Sequence, residues 1–173
     1  MPPDALPHYP WHGTVHEVPV DSLVAPVVVV DIRARAEAQR EAQVTPDDLR
    51  RWRDGHGDVP EGAVVAMLSG WERHLGKPKF RGAGEAGVQH YPAFHAEAAL
   101  MLLEETSAVG IAIDTLSLDI GCRRPSTPTL RGSPPTAGAS RPPRTSPSGT
   151  TMVVGAPKHR GGSGGAARVI ALV

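Results

Sequence analysis

The stretch PVVVVD at residues 26–31 decides the fold class. Four consecutive valines form a β-branched run of the kind found in strands that are buried on both faces of a sheet. Two similar runs, AVVAML at residues 63–68 and VGIAID at residues 109–114, also predict strands. Because helices are predicted in the intervals between these runs, the chain alternates strand, helix, strand, helix, strand. That order indicates an α/β domain with parallel strand pairings.

The two predicted helices rest on local signals. Near residues 46–54, Thr45 is suited to the N-cap, Pro46 to the first helical position, and Asp48 to the third, where an acid closes a capping box. Near residues 96–106, the alanines, leucines, methionine and glutamates are strong helix formers.

The composition of the chain fits one globular domain with irregular segments. A length of 173 residues is sufficient for one hydrophobic core. Its 19 glycines and 18 prolines are about twice the average usage. No apolar run approaches the ~20 residues of a membrane span, and no segment resembles a signal peptide, so a cytoplasmic location is expected. The single cysteine, Cys122, excludes an internal disulfide and a multi-cysteine metal cluster.

Residues 122–148 differ in character from the rest of the chain. They carry prolines and arginines with a single leucine, and no acidic residue occurs after Asp119. Such a composition does not build a packed element, so we expect neither helix nor strand there. Strands are predicted again at residues 151–154 and 168–173. The predicted organisation is therefore a main part at 1–121, an irregular segment at 122–148, and closing strands of the same domain at 149–173.

Several phrases of the sequence resemble, in their order and spacing, the cyclase family of metal-dependent, kynurenine formamidase-like hydrolases. They are TVHEVPVDSLV (14–24), LSGW (68–71), HYPAF (90–94), VGIAIDTLSLD (109–119) and GSGGAARVIAL (162–172). The resemblance implies a mixed or parallel sheet with packed helices, of the swivelling β/β/α-like kind. It also implies hydrolysis of a small-molecule amide, typically N-formylkynurenine to kynurenine and formate in tryptophan catabolism. Zinc or manganese as cofactor and a homo-oligomeric assembly are further implications.

The family carries a motif of the form H-x-G-T-H-x-D-x-P-x-H, in which two histidines and the aspartate bind metal and the last histidine handles protons. Residues 4–9, DALPHY, resemble the end of this motif with the proline moved by one position. The resemblance thus implies Asp4 as a metal ligand and His8 as the catalytic proton carrier. On this alignment the two earlier histidines would precede Met1, so a truncated N-terminus is expected.

A rival alignment places the motif at residues 12–19, HGTVHEVP. His12 and His16 are four residues apart, and on a strand or loop they can converge on one metal ion. Against this alignment, the acid comes one residue early and Asp21 occupies the position of the proton-handling histidine. Both alignments remain open, as does a third interpretation in which these histidines lie on a solvated loop.

Three further residues are candidates for the site. Trp71 follows Ser69 and Gly70 and is expected by family analogy to line the substrate pocket, with a buried core tryptophan as the open alternative. Asp114 and Asp119 come at the end of a predicted strand, where α/β proteins place binding residues. Capping of a turn is the alternative role for these two acids.

The family's remaining histidine and glutamate ligands follow the third strand, yet neither residue type occurs between Asp119 and Lys158. With suitable codons, a displaced reading frame across residues 122–146 supplies a His, a Trp-Gly-Ile/Leu-Glu phrase and an Asn-Leu in the family's order. We therefore interpret this segment as a shifted frame, which makes the activity of the chain doubtful. The alternative is a non-enzymatic protein whose residues 123–144 form a disordered basic arm for nucleic acid or a partner. The arm contains no aromatic residue, so base stacking is excluded and nucleic acid is the less favoured partner.

Overall fold

The structure is a computed structural model that describes residues 14–82, 89–118, 137–138, 150–162 and 164–172. Its helices are α1 (Arg33–Ala38), α2 (Pro46–His56) and α3 (Ala96–Glu105). Its strands are β1 (Val24–Asp31), β2 (Gln43–Val44), β3 (Val64–Leu68), β4 (Ala93–Phe94), β5 (Gly110–Ile113), β6 (Ala137–Gly138), β7 (Thr151–Gly155) and β8 (Arg168–Leu172). None of the helices in these ranges combines the length and the apolar character needed to cross a lipid bilayer.

Six of the strands form one mixed sheet in the order β6-β5-β3-β1-β7-β8. The central strands are parallel, with Val28 opposite Val65 and Val65 opposite Ile111. β7 and β8 run antiparallel to their neighbours. The mixed α/β sheet, the three predicted apolar strands and the closing strand in the same sheet are confirmed.

The valine run of β1 is apolar on both faces because both faces of the sheet are buried. Val28 and Val30 belong to a core packed against α2 and α3, together with Val65 of β3. Val27 and Val29 face the opposite side and belong to a second cluster, which also contains Met152 of β7 and the small side chains of Ala25, Ala66 and Ala112. Because successive side chains of a strand point to opposite faces of the sheet, β1 contributes valines to two separate cores.

The start of α2 follows the predicted capping box. The Thr45 hydroxyl accepts from the Asp48 amide at 3.4 Å, and the Thr45 amide donates to the Asp48 carboxylate at 2.8 Å. The helix ends at His56, and Gly57 has a φ of 90°, a conformation that favours glycine. α3 begins after His95, whose ring nitrogen accepts from the Glu97 amide at 3.2 Å.

One expectation about residues 122–148 is wrong at two positions. Ala137 and Gly138 form β6, which pairs in parallel with Ala112 and Ile113 of β5. The open edge of β5 offers backbone donors and acceptors that any residue except proline can meet, so a short strand forms there without an apolar run. Residues 119–136 and 139–149 lie outside the described part of the chain, and the expectation for them stays a prediction.

Candidate active site at the carboxyl edge of the sheet

The carboxyl ends of the parallel strands bring several polar residues to one edge of the sheet. Asp31 ends β1 opposite Leu68, the last residue of β3, so Ser69 follows beside it. Asp114 comes directly after β5. Residues separated by more than 80 positions thus share the edge at which α/β sheets bind ligands.

Asp114 is the most enclosed acid of this edge, with an exposure of 0%. Its Oδ1 accepts from the Ser69 hydroxyl at 2.6 Å, and its Oδ2 accepts from the amides of Ser69 and Trp71, each at 3.0 Å. Burial raises the pKa of Asp114, the three hydrogen bonds oppose the rise, and the negative charge of Glu72 adds to it. Asp114 thus caps the turn after β3, the role that was left open beside ligand binding.

The turn that Asp114 holds leads into a small aromatic cluster. Gly70 has a φ of 73°, and a Cβ at this position would lie 3.4 Å from Cγ of Arg33. The Trp71 side chain is 3% exposed, packs with Phe80 and Tyr91, and donates from Nε1 to the Phe80 carbonyl at 3.0 Å. Trp71 is therefore a buried residue of the edge, and its contact with a substrate stays a prediction.

A second acid, Asp31, is held by Arg33. The Arg33 Nε donates to both carboxylate oxygens of Asp31 at 3.0 Å, and Nη2 donates to Oδ2 at 2.5 Å. Burial raises the pKa of Asp31, but the hydrogen bonds and the charge of Arg33 outweigh it, so the net shift is downward.

Glu72 is close enough for its charge to act on Arg33 as well as on Asp114. Its Oε2 is buried and has no hydrogen-bond partner in the described part of the chain.

The predicted metal and catalytic residues lie largely outside the described ranges, which begin at Thr14. Asp4, His8 and His12 fall before this point, and Asp119 falls in another undescribed segment. His16 is described, in a 3-10 helix at Val15–Glu17. Its Nδ1 lies 2.5 Å from the Thr14 hydroxyl and 3.4 Å from the Gly161 amide, which leaves Nε2 as the nitrogen for a metal.

The described residues do not fit a metal ion by themselves. Within the ranges given above, no group of three or more histidine, cysteine, aspartate or glutamate side chains can hold one. A structural or catalytic zinc needs three or four protein ligands. The assignments of Asp4, and of the rival His12 and His16, therefore stay predictions.

The sequence alone did not single out Ser69, Arg33 and Glu72 as partners of these acids. The phrase LSGW at residues 68–71 contributed to the family resemblance, but it did not identify the turn there or the acid that binds it. Two clefts of about 410 and 420 Å³ lie elsewhere, around Arg53 where the helices lead into β3 and β5. Arg53 there pairs with Asp58 at 2.9 Å and Glu105 at 3.4 Å, and these ion pairs explain the polar lining of the clefts.

Comparison with known proteins gives a consistent result. The sequence profile of the family described as "Putative cyclase" matches residues 3–120. The isatin hydrolase of Roseibium aggregatum is 29% identical over 110 residues, which cover 63% of this chain and 41% of that protein. The chain thus spans less than half the length of this relative.

Two solved structures share the fold. The crystal structure of an isatin hydrolase bound to the product analogue thioisatinate has a TM-score of 0.83 and 26% identity, over 93% of this chain and 64% of that one. Isatin hydrolase A from Ralstonia solanacearum has a TM-score of 0.80 and 27% identity, over 95% of this chain and 65% of that one.

Proposed function

The chain belongs to the cyclase family, and from this premise we propose that its site is that of a metal-dependent hydrolase of amides whose nitrogen is carried by an aromatic ring, with little or no activity left in the chain as written. The match of residues 3–120 to the family, together with the similarity to isatin hydrolases, carries the proposal. Isatin is a cyclic amide of this type. N-formylkynurenine, the substrate that the sequence resemblance implied, is an open-chain formamide of the same type.

Hydrolysis of either compound adds one water molecule across the carbon–nitrogen bond. The carbonyl carbon takes the hydroxyl and becomes a carboxyl group, which ionises by releasing its proton to the solvent, while the nitrogen takes the other proton of water and becomes an aromatic amine. In the proposed site His8 passes the proton to the departing amine, and Trp71 stands beside the aromatic ring. Zinc or manganese is the expected cofactor, but the described residues supply no ligand set for it, so no step is assigned to the metal.

The test compares four proteins. They are the chain as written, a form with two motif histidines added ahead of Asp4, a form with the family's reading frame restored across residues 122–146, and a form with both changes. Bound zinc and manganese are measured, together with hydrolysis of isatin and of N-formylkynurenine. We expect the chain as written to bind metal weakly or not at all and to show no appreciable hydrolysis. Both properties should return together only in the doubly changed protein, because either half alone leaves the metal under-coordinated.

Two results would change this assignment. Stoichiometric, tight metal in the unchanged chain would identify His12 and His16 as ligands and remove the alignment through Asp4. A doubly changed protein that binds metal and cleaves neither compound would overturn the proposed substrate class. A small-molecule substrate, a cytoplasmic location and a homo-oligomer belong to the same proposal, whereas a nucleic-acid role for residues 123–144 does not.

A further inference from the structure

We propose that Asp114 is a positioning residue of the proposed hydrolase, because its carboxyl group fixes the turn of Ser69, Gly70 and Trp71 at the ligand-binding edge of the sheet. The inference rests on the proposed function for the identity of the ligand, an aromatic amide. The fixing of the turn is inferred from the structure alone and does not depend on the proposed function.

Within the described part of the chain, the hydrogen bonds of the carboxyl group go to this turn. One oxygen receives the Ser69 hydroxyl at 2.6 Å, and the other receives two backbone amides at 3.0 Å. The amides belong to the residues on either side of Gly70, whose left-handed conformation takes the chain out of the β3 ladder. These amides have lost their strand partners, and a buried amide needs an acceptor. Asp114, directly after β5 and 45 positions from Ser69 in the sequence, supplies it.

Trp71 is consequently held at both ends. Asp114 binds its backbone amide, and the carbonyl of Phe80 binds its indole nitrogen at 3.0 Å. The ring is packed against Phe80 and Tyr91, so the turn cannot shift without breaking either the aromatic packing or the Asp114 contacts. Glu72, the next residue, is therefore placed by the same contacts.

The environment of Asp114 is unfavourable for a residue whose only role is to fill space. The carboxyl group is fully buried and lies near a second acid, Glu72, and both factors oppose its ionisation. Such an arrangement is expected where orientation of a site is maintained at the expense of stability.

Three substitutions separate the contributions of the individual hydrogen bonds to the fixing of the turn. Asp114→Asn retains all three contacts, because its oxygen can accept both amides and its NH₂ group can donate to the Ser69 oxygen. Ser69→Ala removes one contact, and Asp114→Ala removes all three. We expect hydrogen exchange of the Trp71 amide to be close to wild type in Asp114→Asn, faster in Ser69→Ala, and about tenfold or more faster in Asp114→Ala. The amides of Val65 and Met67 in β3 serve as internal controls for global unfolding.

Binding of isatin to the same proteins tests the second part of the inference, that the fixed turn is needed to bind the ligand. The Kd for isatin is expected to rise in the same order, by about tenfold for Asp114→Ala, whereas Asp114→Asn should bind isatin nearly as tightly as the wild type.

Unchanged hydrogen exchange of the Trp71 amide in both Ser69→Ala and Asp114→Ala would overturn the fixing of the turn. Faster exchange with an unchanged Kd would overturn the positioning role. Absence of isatin binding by the wild-type and doubly changed proteins would contradict the proposed function, while the exchange measurement would still decide whether Asp114 holds the turn. If Asp114→Ala does not fold, Ser69→Ala and Asp114→Asn decide both points.

Discussion

Single residues at the carboxyl edge of the sheet show how burial and hydrogen bonding compete. Asp114 and Asp31 lie at the same edge, yet burial raises the pKa of one while Arg33 lowers the pKa of the other. In the described ranges the donors to Asp114 are two amides and a hydroxyl, whereas Asp31 receives a guanidinium at 2.5 Å. A charged donor opposes desolvation more effectively than amides and a hydroxyl do.

The raised pKa of Asp114 predicts the pH dependence of stability. The folded protein binds the proton of Asp114 more tightly than the unfolded chain, whose value is near 3.8. The contribution of this group to stability therefore falls as pH rises from 3.8 through the folded-state pKa. Asp114→Asn lacks this titration, so its free energy of unfolding, minus that of the wild type, should increase over the same range. Urea titrations at several pH values measure the difference, with the exposed Asp47→Asn as the control. A difference that decreases with pH would contradict the prediction.

Gly82 allows a test of the close approach between its backbone and the backbone of His90. Its φ is 63°, and an added Cβ would lie 2.5 Å from the carbonyl oxygen of His90. Gly62 has a similar φ of 69° but no atom within 4 Å of that position. Gly62→Ala should lower the free energy of unfolding by about 1 kcal/mol through backbone strain. Gly82→Ala should lower it by about 2–4 kcal/mol, because a steric clash is added. Equal losses in urea denaturation would show that the clash is relieved by movement.

At the scale of elements, α2 depends on Asp48. This side chain is 7% exposed, accepts from the amide and hydroxyl of Thr45, and also binds Arg35. Asp48→Ala should lower the free energy of unfolding by about 2 kcal/mol, because the carboxylate half of the capping box is lost and Arg35 loses its acceptor. Asp47→Ala is the matched control. Asp47 is 78% exposed and, among the described residues, its ion pair is with an exposed arginine, so a loss below about 0.5 kcal/mol is expected. Similar losses in thermal or urea unfolding would argue against the capping role.

The elements that the sequence predicted are those with strong local signals. The valine run of β1 and the capping box of α2 each lie within a few residues, so no knowledge of distant contacts was needed. The helix α1 has six residues, and β2 and β4 have two each. Segments this short carry no readable period. β6 depends on the open edge of β5, and the role of Asp114 depends on a turn 45 positions away. Contacts of this kind are set by the folded sheet.

At the scale of the whole molecule, β7 joins the closing strands to the main sheet. Met152 is 5% exposed and packs in the cluster that contains Val27 and Val29 of β1. Met152→Ala should lower the free energy of unfolding by about 2–4 kcal/mol, and fluorescence and circular dichroism should give one common transition. Ile170 of β8 is 49% exposed, so Ile170→Ala should have the smaller effect. Two separate transitions would show that the closing strands unfold independently of β1.

The candidate site was predicted less completely than the fold. Family analogy pointed to Trp71, the end of a predicted strand pointed to Asp114, and the structure brings these two residues into contact. The predicted ligands Asp4, His8 and His12 lie outside the described residues, and their roles rest on the motif. Motif spacing identifies residue types suited to a metal, whereas only their arrangement in space establishes a ligand set.

The order of strands in the sheet has a consequence for synthesis on the ribosome. β1 pairs on one side with β3, but its other neighbour is β7, where Val24 meets Val153. The parallel centre is complete once Ile113 has been made, and the residues up to Gly155 take roughly 2–8 s more at 5–20 residues per second. During that interval the free side of β1 is an unpaired edge, which can pair with another nascent chain. Slower translation between these two points should therefore increase aggregation and the demand for chaperones.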